Sequence, residues 1–104
     1  MPDKKLTIVA YAKAKPGKLE EVKKELMHLV VETHKEPGCI NYDCHVKDDD
    51  PTTFLFYENW KSKEVWEKHM EMPYLKRWLN ELAPELCEDS PDITLWEMQE
   101  PPEE

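Results

Sequence analysis

The side chains best suited to chemistry fall between Tyr57 and Lys76. Glu58 alternates with Phe54, Phe56 and Trp60, and a strand period of two puts all four on one face. A carboxylate buried in an aromatic row is pushed toward its neutral form and suits proton abstraction. An exposed Glu58, or one paired with Lys13, would not. His69 follows Trp66 by three positions and precedes Pro73 by four. Imidazole titrates near neutral pH, so His69 is a candidate general acid/base or hydrogen-bond donor. The blander role is that of a helix-end histidine meeting the last carbonyls. Trp60, Trp66, Tyr74 and Trp78 are candidate walls for a planar substrate, or else ordinary core.

Other chemistries find little support. His28 and His34 are six apart, off one helical face, and read as surface residues; no HExxH spacing occurs. Cys39, Cys44 and Cys87 form an odd set without a CxxC pair, which predicts free thiols, no metal site and a reducing cytoplasm. Two glycines cannot build a phosphate-cradling loop, and no GxSxG elbow is present. A net charge of −9 without a basic run excludes a nucleic-acid footprint and disfavours an anionic membrane surface. No apolar run approaches bilayer-spanning length. Met1-Pro2-Asp3-Lys4-Lys5 leads straight into a strand pattern and lacks the apolar core of a secretion signal.

The elements that must position Glu58 and His69 follow from periodicity. Leu6–Ala14 alternates as a first strand, with a thin alanine face. Lys15-Pro16-Gly17-Lys18 is a turn. Leu19, Val22, Leu26, Leu29, Val30 and Thr33 carry the apolar stripe of a helix from about Lys18 to Lys35, which Glu36-Pro37-Gly38 stops. Cys39–Lys47 and Thr53–Trp60 make a hairpin around Asp48-Asp49-Asp50-Pro51. Ser62 is the expected N-cap of a second helix. Pro73 opens a third helix, running to about Leu82, which Pro84 ends or kinks. Asp92–Gln99 is the last strand. One domain over residues 1–99 and an acidic, proline-rich tail over 100–104 account for the chain.

The order βαββαβ predicts an α+β, ferredoxin-like fold: a four-stranded antiparallel sheet with helices on one face. The strands are apolar on both faces, with Ile40, Tyr42, Cys44 and Val46 on one side of strand two, and Leu55 and Tyr57 behind Phe54 and Phe56 on strand three. Helices can cover only one of these faces, so the other predicts a homodimer joined through the sheets.

In sequence, the chain resembles the antibiotic biosynthesis monooxygenase superfamily, and especially its small quinol monooxygenase members. The likeness is carried by Lys15-Pro16-Gly17-Lys18, by Glu36-Pro37-Gly38-Cys39 with Tyr42 following, by Tyr57-Glu58-Asn59-Trp60-Lys61-Ser62, and by the spaced His69, Pro73, Tyr74 and Lys76. It spans nearly the whole chain. The resemblance implies a dimeric α/β barrel with a pocket between sheet and helices. It also implies oxidation of a small phenolic or quinol substrate by O₂ with no metal, flavin or heme cofactor. Glu58 or His69 would be the base, and Tyr74 or Trp60 the oxyanion donor. Heme-degrading relatives use an Asn on strand one and a His on the last helix; the positions here, around Ala10 and Leu79, are neither. Polyketide-oxidising members carry an Asn on strand three where this chain has Phe56. Two alternatives stay open: an isomerase or lyase of the same fold, acting on a small and possibly phosphorylated carbonyl compound with Lys13, Lys76 and Arg77 as its cations, and a non-catalytic dimeric ligand-binding module.

Overall fold

The structure is a computed structural model that describes residues 5–102. The last two residues of the acidic tail and the first four of the chain lie outside the described residues. Strand β1 (Leu6–Lys13) leads to helix α1 (Leu19–Thr33), then to strands β2 (Cys39–Lys47) and β3 (Asp50–Trp60). Helix α2 (Lys63–Met70) follows. Next comes a longer helical stretch made of α3 (Pro73–Arg77), a π-helical turn (Trp78–Leu82) and α4 (Ala83–Leu86), before strand β4 (Asp92–Trp96). The sheet order is β2-β3-β1-β4, antiparallel throughout. This is the ferredoxin-like α+β arrangement. Among the described residues no helix is long and apolar enough to cross a membrane.

The core lies between the helices and one sheet face. Val22, Leu26, Leu29 and Thr33 recur at helical spacing and are buried, which fixes the rotation of α1. From the sheet they meet Ile8, Ala12, Tyr42, Phe54, Phe56 and Trp60. The small alanines of β1 leave depth above the sheet for bulkier side chains from the helices.

Helix α2 starts where Ser62 accepts a hydrogen bond from the Val65 amide at 3.2 Å. Gly38 fixes the entry to β2 beside it. Its φ is +87°, and a Cβ there would lie 2.3 Å from Val65 Cγ1. The Lys61 amide donates to the Gly38 carbonyl at 2.9 Å, binding the start of β2 to the end of β3.

Three boundaries differ from the sequence expectation by three residues or more. Strand β3 begins at Asp50 rather than Thr53, because Asp50 pairs with Lys47 across a register shift in β2; the Asp50 carboxylate also accepts from the Thr52 hydroxyl at 2.6 Å, the Thr52 amide at 3.0 Å and the Thr53 hydroxyl at 2.8 Å. Those donors hold its pKa down at about 2. Strand β4 ends at Trp96, short of Gln99. Pro84 does not end the third helical stretch, which continues to Leu86. The Ala83 amide reaches back to the Trp78 carbonyl, a π-type bond one residue wider than α. That wider turn just upstream accommodates a ring that lacks an N–H and would crowd a regular helix.

The second sheet face carries Tyr11, Leu55, Tyr57 and Trp96, placed on one side by the pairings Tyr11 with Leu55, Val9 with Tyr57 and Thr7 with Trp96. Tyr11, Tyr57 and Trp96 are exposed, Trp96 by 57%. Ile40 falls at a register shift in β2 and is exposed rather than aligned with Tyr42.

Candidate active site

Glu58 sits opposite Ile8 of β1 and Tyr42 of β2, in the middle of the covered face. It is 4% exposed. The Trp60 indole Nε1 donates to Glu58 Oε1 at 3.0 Å. Burial pushes the Glu58 pKa up to about 7, against the lowering effect of the indole bond and with a smaller upward push from Glu36. Lys13 is not its partner, since that ammonium lies 3.9 Å from Asp50 and 3.7 Å from Glu88.

His69 is brought in by α2. It is 2% exposed, with its ring 4.6 Å from that of Trp60 and 5.5 Å from that of Tyr42. It stands in the last turn of α2, as a helix-end histidine would, but faces inward rather than solvent. Burial among these rings pulls its pKa down to about 4, so it is neutral at physiological pH. Its Nδ1 lies 2.9 Å from Glu36 Oε2. The Tyr74 hydroxyl, from α3, donates to that same oxygen. Burial pushes Glu36 up to about 7.

Glu58 and His69 both line one hollow of about 30 Å³ between sheet and helices. Ile8, Ala10, Ala12 and Phe56 form much of its floor, while Trp66, Met70, Trp78 and Leu79 close it from the helix side. The space has room for one or two waters and is far below the few hundred Å³ of an ordinary ligand pocket. The sequence-derived aromatics thus divide. Trp66 and Trp78 line the hollow. Trp60, 0% exposed, does not line it; its N–H is already given to Glu58. Tyr74 does not line it either, and instead borders a separate surface groove of about 540 Å³ with Glu36, Lys35, Lys61 and Lys68.

Glu36 is the participant that sequence reasoning missed. Its place before Pro37-Gly38 reads as a helix stop, while its partners are 33 and 38 residues away. Local spacing carried no sign of them; an acidic residue held at a rigid Pro-Gly corner was the one available hint. His34, read as a surface residue, places Nε2 3.0 Å from the Tyr42 carbonyl and so links the end of α1 to β2. Among the described residues no group of three or more His, Cys, Asp or Glu side chains is placed to hold a metal ion.

Chemically, the hollow offers a carboxylate with a near-neutral pKa and a neutral imidazole inside apolar walls. Such a pair can accept a proton from a weakly acidic O–H or C–H group.

Residues 5–81 match the antibiotic biosynthesis monooxygenase family. The chain belongs to that family. This antibiotic biosynthesis monooxygenase family member is 32% identical over 71 residues to the Bacillus subtilis protein named "Putative monooxygenase YcnE", covering 68% of this chain and 75% of that relative. It is 26% identical over 98 residues to "Uncharacterized protein sll1783" of Synechocystis sp., which takes in 94% of this chain but only 66% of the relative's length. Among solved structures, that of PA3566 from Pseudomonas aeruginosa superposes with a TM-score of 0.87 at 26% identity, covering 96% of this chain and 99% of that one. Membership places the chain among monooxygenase-family proteins of the ferredoxin-like fold.

Proposed function

We propose that this chain is a monooxygenase that oxidises a small aromatic or quinol substrate with O₂ and without metal, flavin or heme. The observation that carries this reading is the buried Glu58, its pKa raised to about 7, sharing an apolar hollow with a neutral His69. One of the two takes the phenolic proton. The O–H bond breaks, its electron pair remains on oxygen, and the electron-rich anion passes an electron to O₂. Trp60 and Tyr74 already donate to carboxylates, so the oxyanion would face the newly protonated base instead.

In this reading the working unit is a homodimer, with a second copy covering Tyr11, Tyr57 and Trp96. The phosphorylated-substrate alternative gains nothing from the cations the sequence offered it: Lys13 lies between Asp50 and Glu88, Lys76 pairs with Glu71 at 2.6 Å, Arg77 lies 3.9 Å from Glu25, and none of the three lines the hollow.

The test is turnover of a quinol panel with and without O₂, for the native chain and for His69→Ala and Glu58→Gln. Oxygen consumption matching substrate loss, with a fall of at least about 100-fold in one variant, is the expected result. Anaerobic turnover at the aerobic rate would replace the oxygenase with an isomerase. Unchanged turnover in both variants would remove Glu58 and His69 from the chemistry.

A further inference from the structure

We propose that Glu36 is a positioning residue that holds the Nδ1–H of His69 and thereby presents a bare Nε2 to the hollow as the proton acceptor. This rests on the reading of the hollow as the reaction site.

A neutral imidazole carries one proton, and the hydrogen bond made by one nitrogen decides what the other can do. His69 Nδ1 lies 2.9 Å from Glu36 Oε2, and the Tyr74 hydroxyl converges on that oxygen. An ionised carboxylate oxygen only accepts, so both contacts are satisfied when imidazole and phenol each give a proton to it. Tyr74 thereby fixes the carboxylate that fixes the ring.

The placement of the cavities gives the two nitrogens different surroundings. His69 borders the inner hollow and not the groove; Glu36 and Tyr74 border the groove and not the hollow. Nδ1 is turned to Glu36, and among the described residues Nε2 has no hydrogen-bond partner. Transfer of a substrate O–H proton to Nε2 breaks the O–H bond, leaves its electron pair on the substrate oxygen and makes an imidazolium. The Glu36 carboxylate then faces that cation at hydrogen-bond distance, both side chains being largely buried, where such a charge pair is stronger than in open water. Other titratable groups around this unit are His28 of α1, whose ring lies 6.4 Å from that of Tyr74, Glu32 of α1, Tyr42 of β2, Glu58 of β3, Cys39 at the start of β2, and the groove lysines Lys35, Lys61 and Lys68.

The experiment reads the tautomer directly, from long-range ¹H–¹⁵N spectra of uniformly ¹⁵N-labelled protein at about pH 8.5, where Glu36 is ionised on the value of about 7. His69 is expected as the Nδ1–H form in the native chain and in Tyr74→Phe. Glu36→Gln keeps an acceptor and should keep that form, whereas Glu36→Ala should lose it. On a quinol that the native chain turns over, Glu36→Ala should lower kcat by about 10- to 100-fold with KM within about twofold, the size of effect seen when a group orienting a histidine is removed. A native His69 with its proton on Nε2 overturns the proposal, as does a Glu36→Ala chain with unchanged tautomer and kcat. If Glu36→Ala fails to fold, the native and Glu36→Gln spectra decide alone. If the tautomer is as expected but His69→Ala turns over normally, the base role of His69 fails while the hold of Glu36 on the ring stands.

Discussion

Replacing Glu58 by Gln should make the protein more stable at alkaline pH, and by an amount that the structure sets. The folded-state pKa of Glu58 is about 7 against an ordinary 4.5. A raised carboxyl pKa means the native state holds a proton that the unfolded chain has released, so stability falls as pH climbs from the unfolded value through the folded one and is flat above it. At 1.36 kcal/mol per unit, the loss attributable to Glu58 between about pH 5 and pH 8.5 comes to roughly 2–3 kcal/mol. Glutamine retains the oxygen that accepts the Trp60 N–H but cannot ionise. Glu36 carries a raised pKa as well, and His69 a lowered one that contributes in the opposite sense between about 4 and 6.5. Both are common to the two proteins and largely cancel in the difference. Urea unfolding of both chains at one protein concentration, at about pH 5 and pH 8.5, should show the stability difference shifting by roughly 2–3 kcal/mol in favour of Glu58→Gln. Parallel pH dependence, within about 0.5 kcal/mol, would refute the reasoning, because Glu58 would then be solvated in the folded protein.

Other outcomes follow from geometry. Gly38→Ala would put a side chain at φ +87° and a Cβ 2.3 Å from Val65 Cγ1. The expected cost is about 2–4 kcal/mol by urea unfolding, with Val65→Ala in the same chain recovering the clash but not the backbone strain; a cost below about 0.5 kcal/mol would sink this account. Tyr57→Lys combined with Trp96→Lys should weaken self-association at least about 1000-fold in sedimentation equilibrium while leaving the circular dichroism spectrum native. A native chain that is monomeric at high concentration would instead end the proposal that a second copy covers that face.

The strands were legible because alternation is short-ranged: Phe54, Phe56, Glu58 and Trp60 announce their shared face within seven residues. The stripe from Leu19 to Thr33 did the same for α1. Boundaries set by side-chain chemistry were less so. Asp50 looked like turn material, yet a register shift in β2 lets it pair with Lys47 and carries the strand back to it. Pro84 read as a stop or a kink, and the widened turn before it let the helix continue. Of the candidate site, Glu58 and His69 drew attention through residue type. What they face was set by tertiary contacts: the indole N–H that Trp60 spends on Glu58, the removal of Tyr74 to an outer groove, and the reach of Glu36 across 33 residues to His69. Pairings at that separation leave no period to read.

A hollow with room for one or two waters has a kinetic consequence. On the proposed reading, a benzenoid ring needs more room than this, and Trp66, Met70 and Leu79, half-buried on the helix side, are the side chains that would move aside to make it. Ligand capture then draws on a minority open form, and apparent affinity is scaled down by the fraction of time that form exists. Observed capture rates would level off at the opening rate as ligand is raised, rather than climbing in proportion to concentration.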